Sequence, residues 1–463
     1  MGTNGSKHDM NYELLSLNQQ TINLSILKEN IENIYKALLL LEPEKNEKNL
    51  DKYLCLSCIF GAFLGDSMGS CCEFSLPCDT NHIHIFEYEE GIFRPGEVTD
   101  DSEMAMSAAF AYIDILNEDP SIIQDLIYYY FCIWRCSEPK DIGGATTSAL
   151  DNWDENQSII DTKFDAEFVR TNNWNSLANG FLMRISTFIV YYYYTNKKII
   201  YDTINNFFNE NKENNEIDDL SDSMILLYND IFIESYKNVE ITHPNYENGI
   251  SSAVFTLMVL VGMVKKDAKK VYSIFDIISN SKKIIDCHED KEVKNSVIIV
   301  QEKYKKIMEE INNPNFSVYK KMGYYIHGFK LSVYFLKKYP DMCENKDKDL
   351  YYKIMCEICD FGGDTDTNGA IVGTMIGPLI GYKNFKNDLF ERFIKFIPDT
   401  RCQFTSAFMY VYVNYLEEKL YKENFDLNKE KKEDENTDNN KIFKYTAFHL
   451  IMKFLNKKIT IKK

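Results

Sequence analysis

The sequence predicts an all-α fold, and three observations carry that prediction. Apolar residues recur at intervals of three to four through most of the chain, alternating strand patterns are scarce, and two distant segments place glycine at every fourth residue. After Asp100 the residues Met104, Ala108, Tyr112, Ile115 and Leu116 form one helical stripe, and similar stripes occupy 177–194, 249–264, 323–336 and 403–416. With 45% hydrophobic residues in 463, the chain has ample material for a large core. That core is expected to lie within a domain spanning 49–422.

The flanking segments differ in character. Residues 1–48 form a polar N-terminal extension with one amphipathic stretch, and 423–463 join a charged, Asn-rich linker to a basic amphipathic helix containing Phe443, Phe448, Ile451, Phe454 and Leu455. Inside the domain, the Asn/Glu-rich stretch 205–223 reads as a surface loop, and the charged stretch near 265–316 as a helical insertion. Met1-Gly2 followed by Ser6 fits the N-myristoylation pattern with Gly2 as acceptor. A single acyl chain would give only weak membrane attachment. No run of about 18 uninterrupted apolar residues marks a membrane span.

Charge and cysteine usage narrow the classes further. The 52 basic and 70 acidic residues give a net charge of −18, which opposes binding to nucleic acid. Twelve cysteines are scattered without a secretory signal, several inside apolar runs, so reduced thiols in a cytoplasmic setting are expected. The pairs Cys55/Cys58 and Cys356/Cys359 have zinc-like spacing, but three-residue spacing is also one helix face, and small core residues are the expected reading.

The chemistry is expected where glycine stripes meet acidic groups. Gly61, Gly65 and Gly69 form one smooth helical face, and Gly369, Gly373, Gly377 and Gly381 form another. Glycine inside a helix costs about 1 kcal/mol relative to alanine, so repeated glycines imply close backbone approach, and the two faces are expected to pack together. Asp66 and Glu73 border the first face; Asp364 and Asp366 precede the second. A third group, Thr99-Asp100-Asp101, opens a helix, with Asp100 and Glu103 at capping-box spacing. Aspartates gathered in one place repel and raise each other's pKa unless cations neutralise them. All these donors are oxygens, which favours magnesium, manganese or calcium over zinc. Two such ions about 4 Å apart, bridged by a shared aspartate, would hold a substrate diol and a water.

The ordered series Gly61-Ala62-Phe63-Leu64-Gly65-Asp66-Ser67-Met68-Gly69 with Glu73, Val98-Thr99-Asp100-Asp101-Ser102, and Gly362-Gly363-Asp364-Thr365-Asp366-Thr367 resembles the ADP-ribosylglycohydrolase family. Asp141-Ile142-Gly143-Gly144-Ala145, Asn179-Gly180-Phe181-Leu182-Met183-Arg184 and Ile241-Thr242-His243-Pro244 are similar to further motifs of that family, in the same order. The resemblance implies an orthogonal multi-helix bundle with a binuclear metal site, in which Thr99, Asp100, Asp101, Asp364, Asp366 and Thr367 hold two Mg2+, with Mn2+ as an alternative. It also implies a hydrolase that cleaves the glycosidic bond between ADP-ribose and a protein side chain or small molecule. The diphosphate would rest on backbone N–H groups at Gly143, Gly144 and Ala145, and His243 would contact substrate. Glu73 or an unshared aspartate, Asp100 or Asp101, would activate water, while Asp66 would orient ligands rather than bind metal.

Two competing readings follow from the same residues. An inactive family member would serve as an ADP-ribose-binding or structural protein, although all six metal-site residues keep their types. Gly65-Asp66-Ser67-Met68-Gly69 also fits the G-x-S-x-G nucleophile elbow of a serine esterase, which needs a preceding strand and a downstream histidine. The helical spacing of the glycines opposes that strand.

Overall fold

Glycine at every fourth residue decides the centre of the molecule. In the computed structural model, which describes residues 24–78, 92–154, 157–159, 161–211, 219–313, 316–344, 347–397 and 405–423, Glu47–Gly69 and Thr365–Ile380 are two helices in backbone contact. A methyl group built on Gly61, Gly65 or Gly69 would fall on the carbonyl oxygens of Gly373, Gly369 and Thr365, and one on Gly377 would fall on that of Ser57. The predicted packing of the two faces is therefore the observed one. The fourth glycine of the second stripe, Gly381, lies beyond its helix at φ +81 and meets the Tyr53 ring instead.

Seventeen α-helices and no β-strand occur among the described residues. The first eight are α1 (Leu24–Leu40), α2 (Glu47–Gly69), α3 (Asp100–Asp114), α4 (Ile123–Cys136), α5 (Gly144–Leu150), α6 (Ala166–Asn173), α7 (Ile185–Glu210) and α8 (Asp222–Val239). They are followed by α9 (Tyr246–Lys265), α10 (Ala268–Asn280), α11 (Lys282–Asp286), α12 (Lys291–Glu310), α13 (Ile326–Lys338), α14 (Leu350–Phe361), α15 (Thr365–Ile380), α16 (Asn387–Lys395) and α17 (Phe408–Glu423). The Gly2 acylation motif and most of the linker and basic C-terminal segment lie outside the described residues.

Around the α2–α15 pair, α9 packs against α7, α8, α10, α12 and α15, and α13 closes on α15. Both α2 and α9 have the length and apolarity of a membrane span, yet 89% of each apolar window is buried inside the protein, so both are core helices. Short residues let them pass closely: Gly328 of α13 leaves no room for a side chain against Ile371 of α15. Buried tyrosines pin neighbours by hydroxyl donation, from Tyr382 to the Leu38 carbonyl at 2.8 Å and from Tyr412 to that of Thr187 at 3.0 Å. The charged stretch near 265–316 folds as α10, α11 and α12, whose apolar faces, including Val271, Phe275, Val300 and Tyr304, are buried. Its charge is therefore confined to the outward faces, as amphipathic helices require.

Candidate functional site

The α2–α15 packing brings the C-terminal end of one helix to the N-terminal end of the other. Thr365 Oγ1 donates to the Gly69 carbonyl at 2.7 Å, sealing that junction. Asp66 lies one turn before it, fully buried, and its carboxylate accepts from Thr99 N at 3.1 Å, Ser102 N at 3.2 Å and Ser102 Oγ at 2.5 Å. Asp66 thereby satisfies free N–H groups at the start of α3 and fixes Thr99, Asp100 and Asp101 against α2. The cap of α3 is Thr99, whose side chain accepts from Asp101 N. The capping box expected from Asp100 and Glu103 is not formed: Asp100 is the first helical residue, and the Glu103 carboxylate takes the indole N–H of buried Trp134 at 2.8 Å.

Three segments distant in sequence converge here. Carboxylate oxygens of Asp66, Asp101 and Asp366 lie within 4.8 Å of one another, and those of Glu73, Asp141 and Asp366 form a second such group. Asp101 Oδ2 accepts from Thr99 Oγ1 at 3.1 Å and Thr367 Oγ1 at 3.3 Å, while its Oδ1 is buried without a hydrogen-bond partner among the described residues. Asp364, the cap of α15, accepts from Asn179 Nδ2 at 2.7 Å. An orphaned anionic oxygen inside an all-oxygen cluster fits a hard divalent cation.

The electrostatics agree. Burial, then neighbouring carboxylates, hold Asp100, Asp101 and Asp366 well above the usual carboxylate range. Asp66 is raised by burial to about 6, against hydrogen bonds from Ser102 and Thr99 that pull it down. Glu73 is pushed up to about 8 by burial and by Asp141, Asp364 and Asp66.

Glu73 is held over the cluster by backbone, not by a helix. Gly362 and Gly363 adopt φ +66 and +84, and Gly363 pairs with Ser75 in an antiparallel bridge: Phe74 N donates to the Gly363 carbonyl at 2.6 Å, and Gly363 N to that of Ser75 at 3.0 Å. A side chain at Gly362 would collide with the Ser75 and Leu76 backbone, so glycine there is what lets the Glu73 loop close on the site.

On the other side, Gly143 caps the short helix α5, with Gly143 and Gly144 exposed and Ala145 half-buried. The first turn of a helix has N–H groups without intrahelical acceptors. Asp141 ties this segment to the cluster, and the Asn173 side chain donates to the Ala145 and Thr242 carbonyls at 2.7 and 2.8 Å. Buried Arg184 donates to Thr242 Oγ1 at 2.8 Å and to Asn238, and Thr242 Oγ1 meets His243 Nδ1 at 2.8 Å. The opposite nitrogen of His243, Nε2, is buried without a partner among the described residues, and the ring lies against Gly180, where an added Cβ would meet Cε1 at 2.8 Å. Burial, with Arg184 adding to it, lowers the imidazole to about 3, so it is neutral.

The six residues expected to hold metal, Glu73 and Asp141 therefore lie near one another, and His243 lies against Gly180, next to the Asn179 that holds Asp364. Asp141 and Asn179 were not singled out as site residues from sequence. Asp141 had a signal, an acid two residues before paired glycines; Asn179 had only its place in a recognised motif. Cys55, Cys58 and Cys359 are buried and Cys356 half-buried, all as free thiols. Ser67 sits within α2, buried, its hydroxyl without a partner among the described residues, so the strand-to-helix elbow of an esterase is not formed there.

An all-helical domain with such a carboxylate centre belongs to a recognisable class of hydrolases, and the comparisons specify which. The sequence profile of the ADP-ribosylglycohydrolase family matches residues 47–209 and 220–414, and the chain belongs to that family. A protein of Acanthamoeba polyphaga mimivirus assigned as an ADP-ribosyl glycohydrolase is 24% identical over 344 residues, covering 72% of this chain and 88% of that protein. A solved structure described as an ADP-ribosylglycohydrolase-related protein complex shares the fold with a TM-score of 0.50 and 16% identity, over 80% of this chain and 99% of that one.

Proposed function

We propose that the protein is a divalent-metal-dependent hydrolase that removes ADP-ribose from a modified protein side chain or small molecule. The observation that carries this reading is the Asp101 carboxylate, with one oxygen orphaned in a buried cluster that Asp366 shares between two carboxylate groups. Thr99, Asp100, Asp101, Asp364, Asp366 and Thr367 would hold the ions, Mg2+ or Mn2+. When bound, such ions supply positive charge that acidifies water and orients a ribose diol.

The chain's own residues account for the remaining requirements. Backbone N–H groups from Gly143 to Ala145 donate to the diphosphate oxygens without net positive charge. His243, with Nδ1 engaged by Thr242, presents its Nε2 proton to a substrate oxygen. Glu73 faces the same cluster; as a carboxylate, the form that cations in the cluster would favour, it takes the proton from the attacking water as that oxygen bonds to the anomeric carbon and the glycosidic bond breaks, and it passes the proton on to the leaving group. Family membership supports the class of bond and the geometry supports the division of roles.

The test is release of free ADP-ribose from arginine-linked, serine-linked and polymeric substrates, with magnesium, with chelator, and in Asp364→Ala and Asp366→Ala. Magnesium-dependent release absent from both variants is expected. No release from any substrate by folded, metal-loaded protein would move the assignment to an ADP-ribose-binding protein without turnover.

A further inference from the structure

Lysines are outnumbered on this acidic chain, yet five of them, Lys303, Lys306, Lys320, Lys321 and Lys330, line one cleft of about 690 Å³ between α12 and the start of α13. Glu247 pairs with Lys303, and Glu310 pairs with Lys330 and, at 3.6 Å, with Lys306. Lys320 and Lys321 are exposed and have no ion-pair partner among the described residues. Two carboxylates against five lysines leave an excess of positive charge in a molecule whose net charge is −18. Such a concentration attracts anions even against the overall field.

The cleft has a second, polar feature. His327 lines it and is only 7% exposed. Its Nε2 lies 2.7 Å from the Lys320 carbonyl oxygen. A carbonyl can only accept, so Nε2 carries the proton and Nδ1 is left as an acceptor, buried and without a partner among the described residues. A ligand that satisfies both features offers phosphate to the lysines and a hydroxyl to the imidazole. We infer that this cleft is a second binding site, separate from the acidic centre, for a phosphate-bearing sugar or nucleotide. Its volume is that of a small-molecule site rather than a macromolecular groove.

The cleft shares a loop with the acidic centre. Two residues beyond Lys321, which has a left-handed φ of +57, the Gly323 carbonyl accepts from Asn179 N at 2.9 Å, and Asn179 holds Asp364. Occupancy of the cleft would therefore steady the residue that orients Asp364. The inference stands whether or not the hydrolase reading does.

Calorimetric titration of the full chain with inorganic pyrophosphate and with ribose 5-phosphate, in chelator, tests it. Wild-type protein and Asp364→Ala should each show a site that the exposed double variant Lys320→Glu/Lys321→Glu weakens at least tenfold while melting at the wild-type temperature, whatever binding the segment 143–145 adds. His327→Phe should weaken ribose 5-phosphate and spare pyrophosphate. Absence of binding to wild type, or binding that survives the lysine changes and disappears with Asp364→Ala, would overturn the proposal. So would a His327→Phe variant that binds ribose 5-phosphate as tightly as wild type does.

Discussion

Asp366 is the one carboxylate common to both triplets, and Asp66 is the one whose oxygens are already occupied by N–H and O–H donors. The two should therefore fail differently. Asp366→Ala is expected to lower kcat/KM by at least about 100-fold and to weaken magnesium binding, because it opens both groups. Asp66→Asn should cost about 1–3 kcal/mol of stability in urea unfolding, since its amide nitrogen would replace one accepting oxygen and set a donor against the Thr99 or Ser102 N–H. His243 makes a pH prediction. Its pKa falls from 6.5 to about 3 on folding, so the unfolded chain takes the proton first. The stability it contributes is full above pH 6.5 and is lost as pH falls toward 3, with a slope of about 1.4 kcal/mol per pH unit that His243→Gln should remove from the acid unfolding profile.

At the scale of elements, the glycine faces of α2 and α15 make a contact in which backbone meets backbone, with no flexible side chain to yield. Gly373→Ala would drive a methyl group onto the Gly61 carbonyl. It should destabilise the protein by about 3 kcal/mol or more and disturb metal binding, because the same contact sets Asp66 against Asp364 and Asp366. Gly144→Ala is the contrasting case: nothing lies within 4 Å of an added Cβ, so unfolding should be unchanged or slightly more resistant. Chemical denaturation of the two variants side by side separates a glycine required for packing from one that is merely compatible with its place.

For the molecule as a whole, the buried carboxylates couple stability to metal and pH. Raised carboxylate pKa values impose no penalty below the unfolded values, 3.8 for Asp66 and 4.5 for Glu73, and a growing one as pH climbs through about 6 and about 8. Metal-free protein should lose thermal stability across that window. Magnesium at a hundred times its Kd should restore about 2.7 kcal/mol at neutral pH. Thermal melts with chelator and with magnesium at pH 5 and pH 8 check this; a melting temperature that ignores both metal and pH would remove the cation from the proposed centre.

Much of this was legible in the chain before folding. Helical periodicity, the two glycine stripes and the three acidic segments follow from residue spacing, because a helix repeats every 3.6 residues and a side chain's face is therefore readable locally. The packing of the stripes was inferable for the same reason: only backbone contact makes repeated glycines worthwhile. What spacing could not decide was anything set by contacts between distant segments. That Glu103 faces the Trp134 indole rather than the start of its own helix depended on a residue 31 positions away. The entry of Asp141 into the carboxylate cluster, and of Asn179 onto Asp364, depended on loops whose conformation no period governs. The lysines of 303–330 carry no pattern in the sequence that joins them, and only the placing of α12 and the loop before α13 sets them around one cleft. Local physics determined the elements and the chemistry they carry; tertiary structure alone decided which of those groups face one another, because Coulomb and hydrogen-bond energies depend on distances the sequence does not contain.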